Sequence, residues 1–308
     1  MREGLRERLD VELGRAGWLW RSCRIDRIAE AARELADRRR DGELDGELYQ
    51  SYLADLAVSP QDGFQEAAAA IVVSVPQPQH LIGFTHHGAS ISLGVPPTYL
   101  HGRRSDERVQ EAIENVLAAG GHRVVRGSLP KKLLAVRTGL ARYGRNNITY
   151  VDRWGSYHRL AAFIADAPLP EHDWREPEVM AACEECGACW KACPTGAIAG
   201  DRFLIHAERC LTYLNEMPTP VAFPAWVDED AHNQLVGCMR CHQVCPANRG
   251  LLEQREAGPV FNEAETEAIA ADTPLDRLPE STVSKLREHD LTDLYEVLPR
   301  NVRVLLRS

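Results

Sequence analysis

The sequence predicts an α+β protein: a mixed sandwich of helices and short strands, then a cysteine-rich domain built on metal clusters, then a short helical tail. Three observations lead there. The first 165 residues alternate helical and strand-like stretches without a repeating βαβ unit, which argues for a sandwich rather than a doubly wound sheet. Eight of the nine cysteines fall between positions 183 and 245. The 308 residues are 44% apolar and 26% charged, the make-up of a folded chain with room for two or three domains.

Residues 1–60 read as helical and charged. Leu5, Leu9 and Leu13 recur four apart, and Ile28, Ala31, Ala32 and Leu35 share a helical face. The apolar run 67–75 holds a buried strand, ended by Pro76 and Pro78. A second strand is expected over 91–95, broken by Pro96 and Pro97. A helix is expected over 106–119, with Ser105 as its N-cap and Gly120 and Gly121 as its stop. Strand 122–126 and helix 133–140 follow. Stretches 148–151 and 158–165 are expected to pair as a hairpin. The chain thus divides into an α+β domain over 1–166, a proline-rich linker over 167–180, a cluster domain over 181–250 and a helical tail over 251–308.

The cysteine spacing carries the chemistry. Cys183, Cys186, Cys189 and Cys193, followed by Pro194, form C-x2-C-x2-C-x3-C-P, the run of bacterial two-cluster ferredoxins, whose fourth cysteine serves the other cluster. Cys238, Cys241 and Cys245, followed by Pro246, repeat it without its first ligand, and Cys210 is the unassigned cysteine nearby. A cubane cluster needs four inward-pointing thiolates. Two-residue gaps let one tight loop supply three, while the cysteine before the proline points away. Crossing the motifs gives one [4Fe–4S] cluster Cys183, Cys186, Cys189 and Cys245, and the other Cys193, Cys210, Cys238 and Cys241. Each thiolate is then used once. Structural zinc is the competing reading, but zinc sites do not need the triple run with its trailing x3-C-P. Cys23, alone in a helical-looking segment, is expected to be a buried, inert thiol.

Beyond the cysteines the text resembles a known family. Arg209-Cys-Leu-Thr-Tyr-Leu-Asn-Glu216 resembles the segment holding the isolated cluster ligand of epoxyqueuosine reductases, and Gly237-Cys-Met-Arg-Cys-His-Gln-Val-Cys-Pro-Ala-Asn248 resembles their second cluster motif. Gly139-Leu-Ala-Arg-Tyr-Gly-Arg-Asn-Asn147, with Gly155-Ser156 and Asp166-Ala-Pro-Leu169, is similar to a segment shared with reductive dehalogenases. The resemblance implies two clusters passing single electrons to a cobalamin, whose cobalt reduces a bound substrate. It places Gly139, Gly144, Arg145, Asn146, Asn147, Gly155 and Ser156 at the corrinoid. The resemblance also implies an external one-electron donor of the flavodoxin or ferredoxin type. Tyr143, with Arg137, Arg142 and Arg145 close in sequence, is the candidate proton donor from the residues themselves. The other reading of this stretch is a helix end, with Gly144 as its cap and Asn146 and Asn147 in a turn. The chain departs from that family in three ways. Tyr143 precedes Gly144 and Arg145 follows it, where those enzymes have a glycine- and tryptophan-rich segment with a lysine after its last glycine. No carboxylate stands in 122–130, where those enzymes place an aspartate proton donor, and about 58 residues follow the cluster domain where they carry a helical-repeat extension for tRNA. The expectation is a divergent reductase acting on a small molecule, not on nucleic acid.

The remaining features are general. A formal charge of -9 argues against a nucleic-acid coat. No apolar run approaches membrane-spanning length. The N-terminal stretch Met1-Arg-Glu-Gly-Leu-Arg lacks the apolar core of a secretory signal, so a cytoplasmic location with reduced thiols is expected. Thr85-His86-His87-Gly88 could bring imidazoles to a metal or stand exposed in a polar loop. Lys131 and Lys132, with Arg123 and Arg126, could bind phosphates or form a solvated face. Two other functions fit the same motifs: an electron carrier that docks a protein partner without a corrinoid, and a corrinoid-handling protein without a substrate of its own.

Overall fold

The computed structural model describes residues 2–54, 56, 64 and 66–307. It has two compact units, one from residues 1–76 and 102–186, the other from 77–101 and 187–308.

In chain order the first unit begins with α1 (Arg2–Arg15), β1 (Leu19–Arg24), α2 (Arg27–Arg40), α3 (Gly46–Tyr52) and β2 (Ala69–Pro76). The chain then gives β3 (Gln79–His86) and β4 (Ala89–Val95) to the second unit. The first unit resumes with α4 (Gly102–Ala118), β5 (Val124–Arg126), α5 (Lys131–Arg137), β6 (Arg142–Tyr143), β7 (Thr149–Tyr150) and β8 (His158–Ala165). Its main sheet runs β1-β2-β8-β5, antiparallel throughout. Strands β2 and β8 are almost wholly apolar because both faces of the sheet are covered. Side chains alternate along a strand, so Ile71, Val73, Ala161 and Phe163 pack with Leu5, Leu9 and Leu13 of α1 and with Val109 and Ile113 of α4. Ala70, Val72, Ala162 and Ile164 pack on the opposite side with Ile28 of α2 and Leu134, Ala135 and Val136 of α5.

Several expectations change here. Cys23 lies in strand β1, opposite Ala70, not in a helix. It is buried as expected, and burial pushes its thiol up to about 12, leaving it an inert core thiol. Helix α4 starts at Gly102, so Ser105 is a buried residue within the helix rather than its cap. The neighbouring Asp106 takes a two-pronged ion pair from Arg159 at 2.8 and 2.9 Å. Strand β7 pairs with β6, whereas β8 pairs with β2 and β5, so the expected hairpin does not form. The sheet core claims the apolar β8 and leaves the short β7 to a local ribbon. The part of the helical expectation at 57–60 lies outside the described residues. Stretch 167–180 is tied down rather than loose: His172 donates its amide to the Ser22 carbonyl, Arg175 to that of Arg137, and Met180 to that of Tyr143.

The second unit adds α6 (Ala188–Ala192), α7 (Leu211–Asn215), α8 (Arg240–Gln243), β9 (Arg255–Phe261), α9 (Glu263–Ala270), α10 (Glu280–Glu288) and α11 (Leu298–Leu305). Its sheet runs β4-β3-β9, with β9 parallel to β3. Ile82, Phe84, Leu93 and Val95 of the hairpin share a core with Phe261, Ile269, Leu286 and Val302. This apolar partnership is why residues 77–101 leave the expected N-terminal domain, and why 251–308 is part of a core rather than a helical tail. Helix α9 opens with a capping box formed by Asn262 and Glu265. Among the described residues no helix is long and apolar enough to cross a membrane.

Candidate metal centre

The loops between α6 and α8 bring the outlying cysteine to its proposed partners. Helix α6 carries Cys189 and is followed by Cys193-Pro194; α8 carries Cys241 and is followed at one residue's distance by Cys245-Pro246. The two short helices pack on each other, so the repeated motif is also a repeated structure. Cys210 caps the start of α7. The Cys238 thiol senses the charges of Cys210 and Cys193, and the Cys210 thiol that of Cys193. All four ligands of the second crossed set lie within one unit. Cys183 and Cys186 close the first unit, and Cys189 and Cys245 belong to the second. None of the nine cysteines is in a disulfide.

The donor set suits anionic sulfur. Burial raises the Cys210 thiol, while the amides of Thr212 and Tyr213 and the Thr212 hydroxyl pull it back. Burial likewise raises Cys238, while the Asn233 side-chain amide, donating to its sulfur at 3.3 Å, and the Arg240 amide pull it down. A half-buried thiol beside N–H donors becomes a thiolate once a metal cation is at hand. Such N–H···S bonds stabilise the cluster's added negative charge and raise its reduction potential. The chemistry of these donors, anionic sulfur beside amide N–H groups, fits a cluster held by thiolates.

The loops are held by buried polar groups rather than by a large core. Arg300 of α11 donates to the carbonyls of Val221, Leu214 and Asn215 at 2.6, 2.8 and 3.1 Å. Asn301 donates to Asn215 and Leu235, both at 3.0 Å. Arg300 lies over the Phe223 ring at 3.9 Å, and burial holds its guanidinium down at about 10. Asn215 in turn donates to the Gly237 carbonyl, next to Cys238. Tyr99, from the β4 side of the unit, donates its hydroxyl to Glu216 and stands within the field of Cys210 and Cys238; burial raises both of its partners in this pair. Asn233 and Thr212 lie within five residues of a ligand, a local signal that could have marked them. Tyr99, Arg300 and Asn301 have no such signal.

The residues assigned by resemblance to the corrinoid lie in the first unit and are engaged there. Gly139, with φ +72°, ends α5, and a Cβ there would meet the Arg175 guanidinium at 2.3 Å. A Cβ on Gly144 would meet the Asn146 side chain at 2.5 Å and the Tyr150 ring at 2.6 Å. Asn146 donates to the Tyr150 hydroxyl at 3.0 Å, and its carbonyl oxygen accepts from the Ile148 amide at 3.3 Å. Asn147 supplies the left-handed corner of the turn between β6 and β7. Arg145 donates to the Cys183 carbonyl at 3.0 Å, linking this turn to the first cluster motif. Gly155 closes a tight loop with Val151, and Ser156 is buried. The room beside Gly139 and Gly144 is filled from within the fold by Arg175, Asn146 and Tyr150. Tyr143 packs against the α2–α5 core; burial raises its phenol, with Glu34 reinforcing and Arg38 and Arg137 opposing. Of the basic quartet, Arg123 pairs with Asp166, Arg126 reaches the Arg103 carbonyl and Lys132 the Asn147 carbonyl, while burial lowers Lys131.

Comparison with known proteins agrees with the motif reading. Residues 182–248 match the family of 4Fe-4S double cluster binding domains. Epoxyqueuosine reductase of Listeria monocytogenes is 31% identical over 160 residues, 51% of this chain and 37% of that protein. The enzyme of Pseudomonas aeruginosa is 32% identical over 149 residues, 48% of this chain and 40% of its own length. The matched stretch therefore spans about two fifths of these curated relatives. A crystal structure of epoxyqueuosine reductase with an epoxyqueuosine-modified tRNA-Tyr stem loop superposes with a TM-score of 0.73 and 20% identity, covering 99% of this chain and 82% of that one. A structure of the Bacillus subtilis enzyme gives 0.74 at 20% identity, with the same coverage. The chain carries a double [4Fe–4S] cluster domain, is related in sequence to epoxyqueuosine reductases over about half its length, and has their fold over nearly all of it.

Proposed function

We propose that this chain is an iron–sulfur reductase that takes single electrons from an external donor of the flavodoxin or ferredoxin type and passes them through two [4Fe–4S] clusters. The clusters supply one-electron storage. The chain's own part is to hold them: Cys183, Cys186, Cys189 and Cys245 for one, and Cys193, Cys210, Cys238 and Cys241 for the other. The Asn233 amide and the Thr212, Tyr213 and Arg240 amides set the charge that the second cluster can carry. The observation that carries the reading is Cys210, outside both motifs yet within electrostatic reach of Cys193 and Cys238, with amide donors at Cys210 and Cys238.

The finer part of the proposal, a corrinoid acceptor acting on a small molecule, rests on the resemblance of 139–156 and of the cluster motifs. A second reading is favoured by the likeness to a reductase solved with a tRNA stem loop: a modified tRNA base as substrate. Anaerobic purification with added cobalamin separates these possibilities from the cluster-only carrier. Cobalt bands that co-elute with cluster-replete protein are expected. Equilibrium dialysis showing no cobalamin uptake would remove the corrinoid and leave an electron carrier. With cobalamin bound, Tyr143→Phe is expected to keep binding and lose turnover, and Arg145→Ala to weaken binding. Conversion of epoxyqueuosine-containing tRNA by the loaded protein would overturn the small-molecule reading.

A further inference from the structure

The β3–β4 hairpin turns on two residues, His87 and Gly88, with φ of 50° and 75°. Both are left-handed, as a two-residue hairpin loop of this twist requires. The tight turn sets the His86 and His87 rings 4.0 Å apart, centre to centre. Glu263, the first residue of α9, faces them. Its carboxylate oxygens accept the His87 amide at 2.6 Å and the Gly88 amide at 3.1 Å. Those two bonds fix the carboxylate in place and hold it ionised below its usual range. Each oxygen keeps a further lone pair. The Nδ1 atom of His86 is buried and makes no hydrogen bond, although a buried ring nitrogen ordinarily has a partner. One ligand atom from each of His86, His87 and Glu263 falls within 4.8 Å of the other two.

From this geometry we infer a divalent transition-metal site, of the class that zinc occupies, formed by His86, His87 and Glu263. Two imidazoles and a carboxylate are the donor set that Zn2+ takes with a water in the fourth position. Ligands on such an ion stand about 3.5 Å apart, so the half-buried His86 ring and the exposed His87 ring need only a small rotation to close on it. The metal satisfies the His86 nitrogen and adds its charge to the carboxylate without displacing the two amides. It clamps the hairpin tip to the start of α9, within the second unit and apart from every cluster cysteine in sequence.

The test uses the full, cluster-replete protein, kept anaerobic, titrated with Zn2+ in a calorimeter, with iron and sulfide assayed before and after. One equivalent of Zn2+ is expected to bind with no loss of iron. His86→Ala and Glu263→Gln are each expected to weaken that binding by about tenfold or more. His87→Asn retains a residue that accepts the left-handed corner and removes only the ligand, so weakening there separates ligation from a disrupted turn. No uptake by the wild type, uptake only with matching iron loss, or equal affinity in wild type and His87→Asn would overturn the site.

Discussion

In the first unit the centre is a sheet with two apolar faces, and Phe163, Ile71 and Val73 are shielded completely. In the second unit the cluster-bearing stretch 187–250 buries only small or medium apolar side chains such as Ile198, Leu211, Leu214, Leu235, Val236 and Met239. There the backbone is held by Arg300 and Asn301 and, on the proposed function, by thiolate–iron bonds. One region is organised by removing hydrocarbon from water, a diffuse force that tolerates substitution by similar volumes. The other depends on a few directional bonds, each of which matters singly. The first should therefore outlast the loss of iron, and the second should not.

The largest effect expected to test this contrast is loss of a cluster ligand. Cys210→Ala should lower iron from about eight to about four atoms per chain and raise amide exchange across 187–250, with β2 and β8 still protected. Cys23→Ala should leave iron unchanged. Equal iron in wild type and Cys210→Ala would remove that residue from the ligand set. The opposite perturbation is Phe163→Ala, which should cost about 3–5 kcal/mol in urea unfolding of the sheet with no change in iron per folded chain. Coupled loss of both would mean that the units do not hold their shape independently.

A smaller effect concerns His158, a polar residue in the apolar sheet. Its Nε2 donates to the Thr149 carbonyl at 3.0 Å and its Nδ1 accepts from the Ser74 hydroxyl at 3.0 Å. Burial holds it down at about 4, against the Thr149 bond and with Lys132 reinforcing. The unfolded chain takes up this proton near pH 6.5 and the folded one does not. Stability is therefore complete above about pH 6.5 and falls by about 3 kcal/mol as the pH drops to about 4. His158→Gln should flatten that slope in urea unfolding between pH 7 and pH 5. A variant as steep as wild type would assign the dependence to other groups.

The parts legible in the sequence are those coded by local spacing. The paired cysteine runs name a cubane because thiolate geometry is set over a few residues, and β2 shows itself through an apolar run broken only by Ser74. Strands β1, β3 and β9 were not legible. β1 mixes Arg21, Ser22 and Arg24 with apolar residues, and β3 is edged by Gln79, His80 and His86. The β3–β9 pairing joins segments about 175 residues apart, and no local pattern encodes it. The domain boundary failed for the same reason. At the cluster, Asn233 lies close enough to Cys238 to be suspected, whereas Arg300 reaches it only through the fold. The glycines at 139 and 144 suggested room for a ring, but whether a gap stays open depends on what folds into it, and Arg175 and Tyr150 fill these.

The grip of Arg300 and Asn301 on the carbonyls of residues 214, 215, 221 and 235 also sets an order in time. A ribosome releases the chain from its N-terminus. The first unit has its last strand once residue 165 is out, and can collapse while synthesis continues. The carbonyls of residues 214, 215, 221 and 235 gain these donors only after residue 301 has emerged and α11 can seat. Between those moments the nascent chain holds the whole first sheet while the cluster-bearing stretch still lacks the donors of α11.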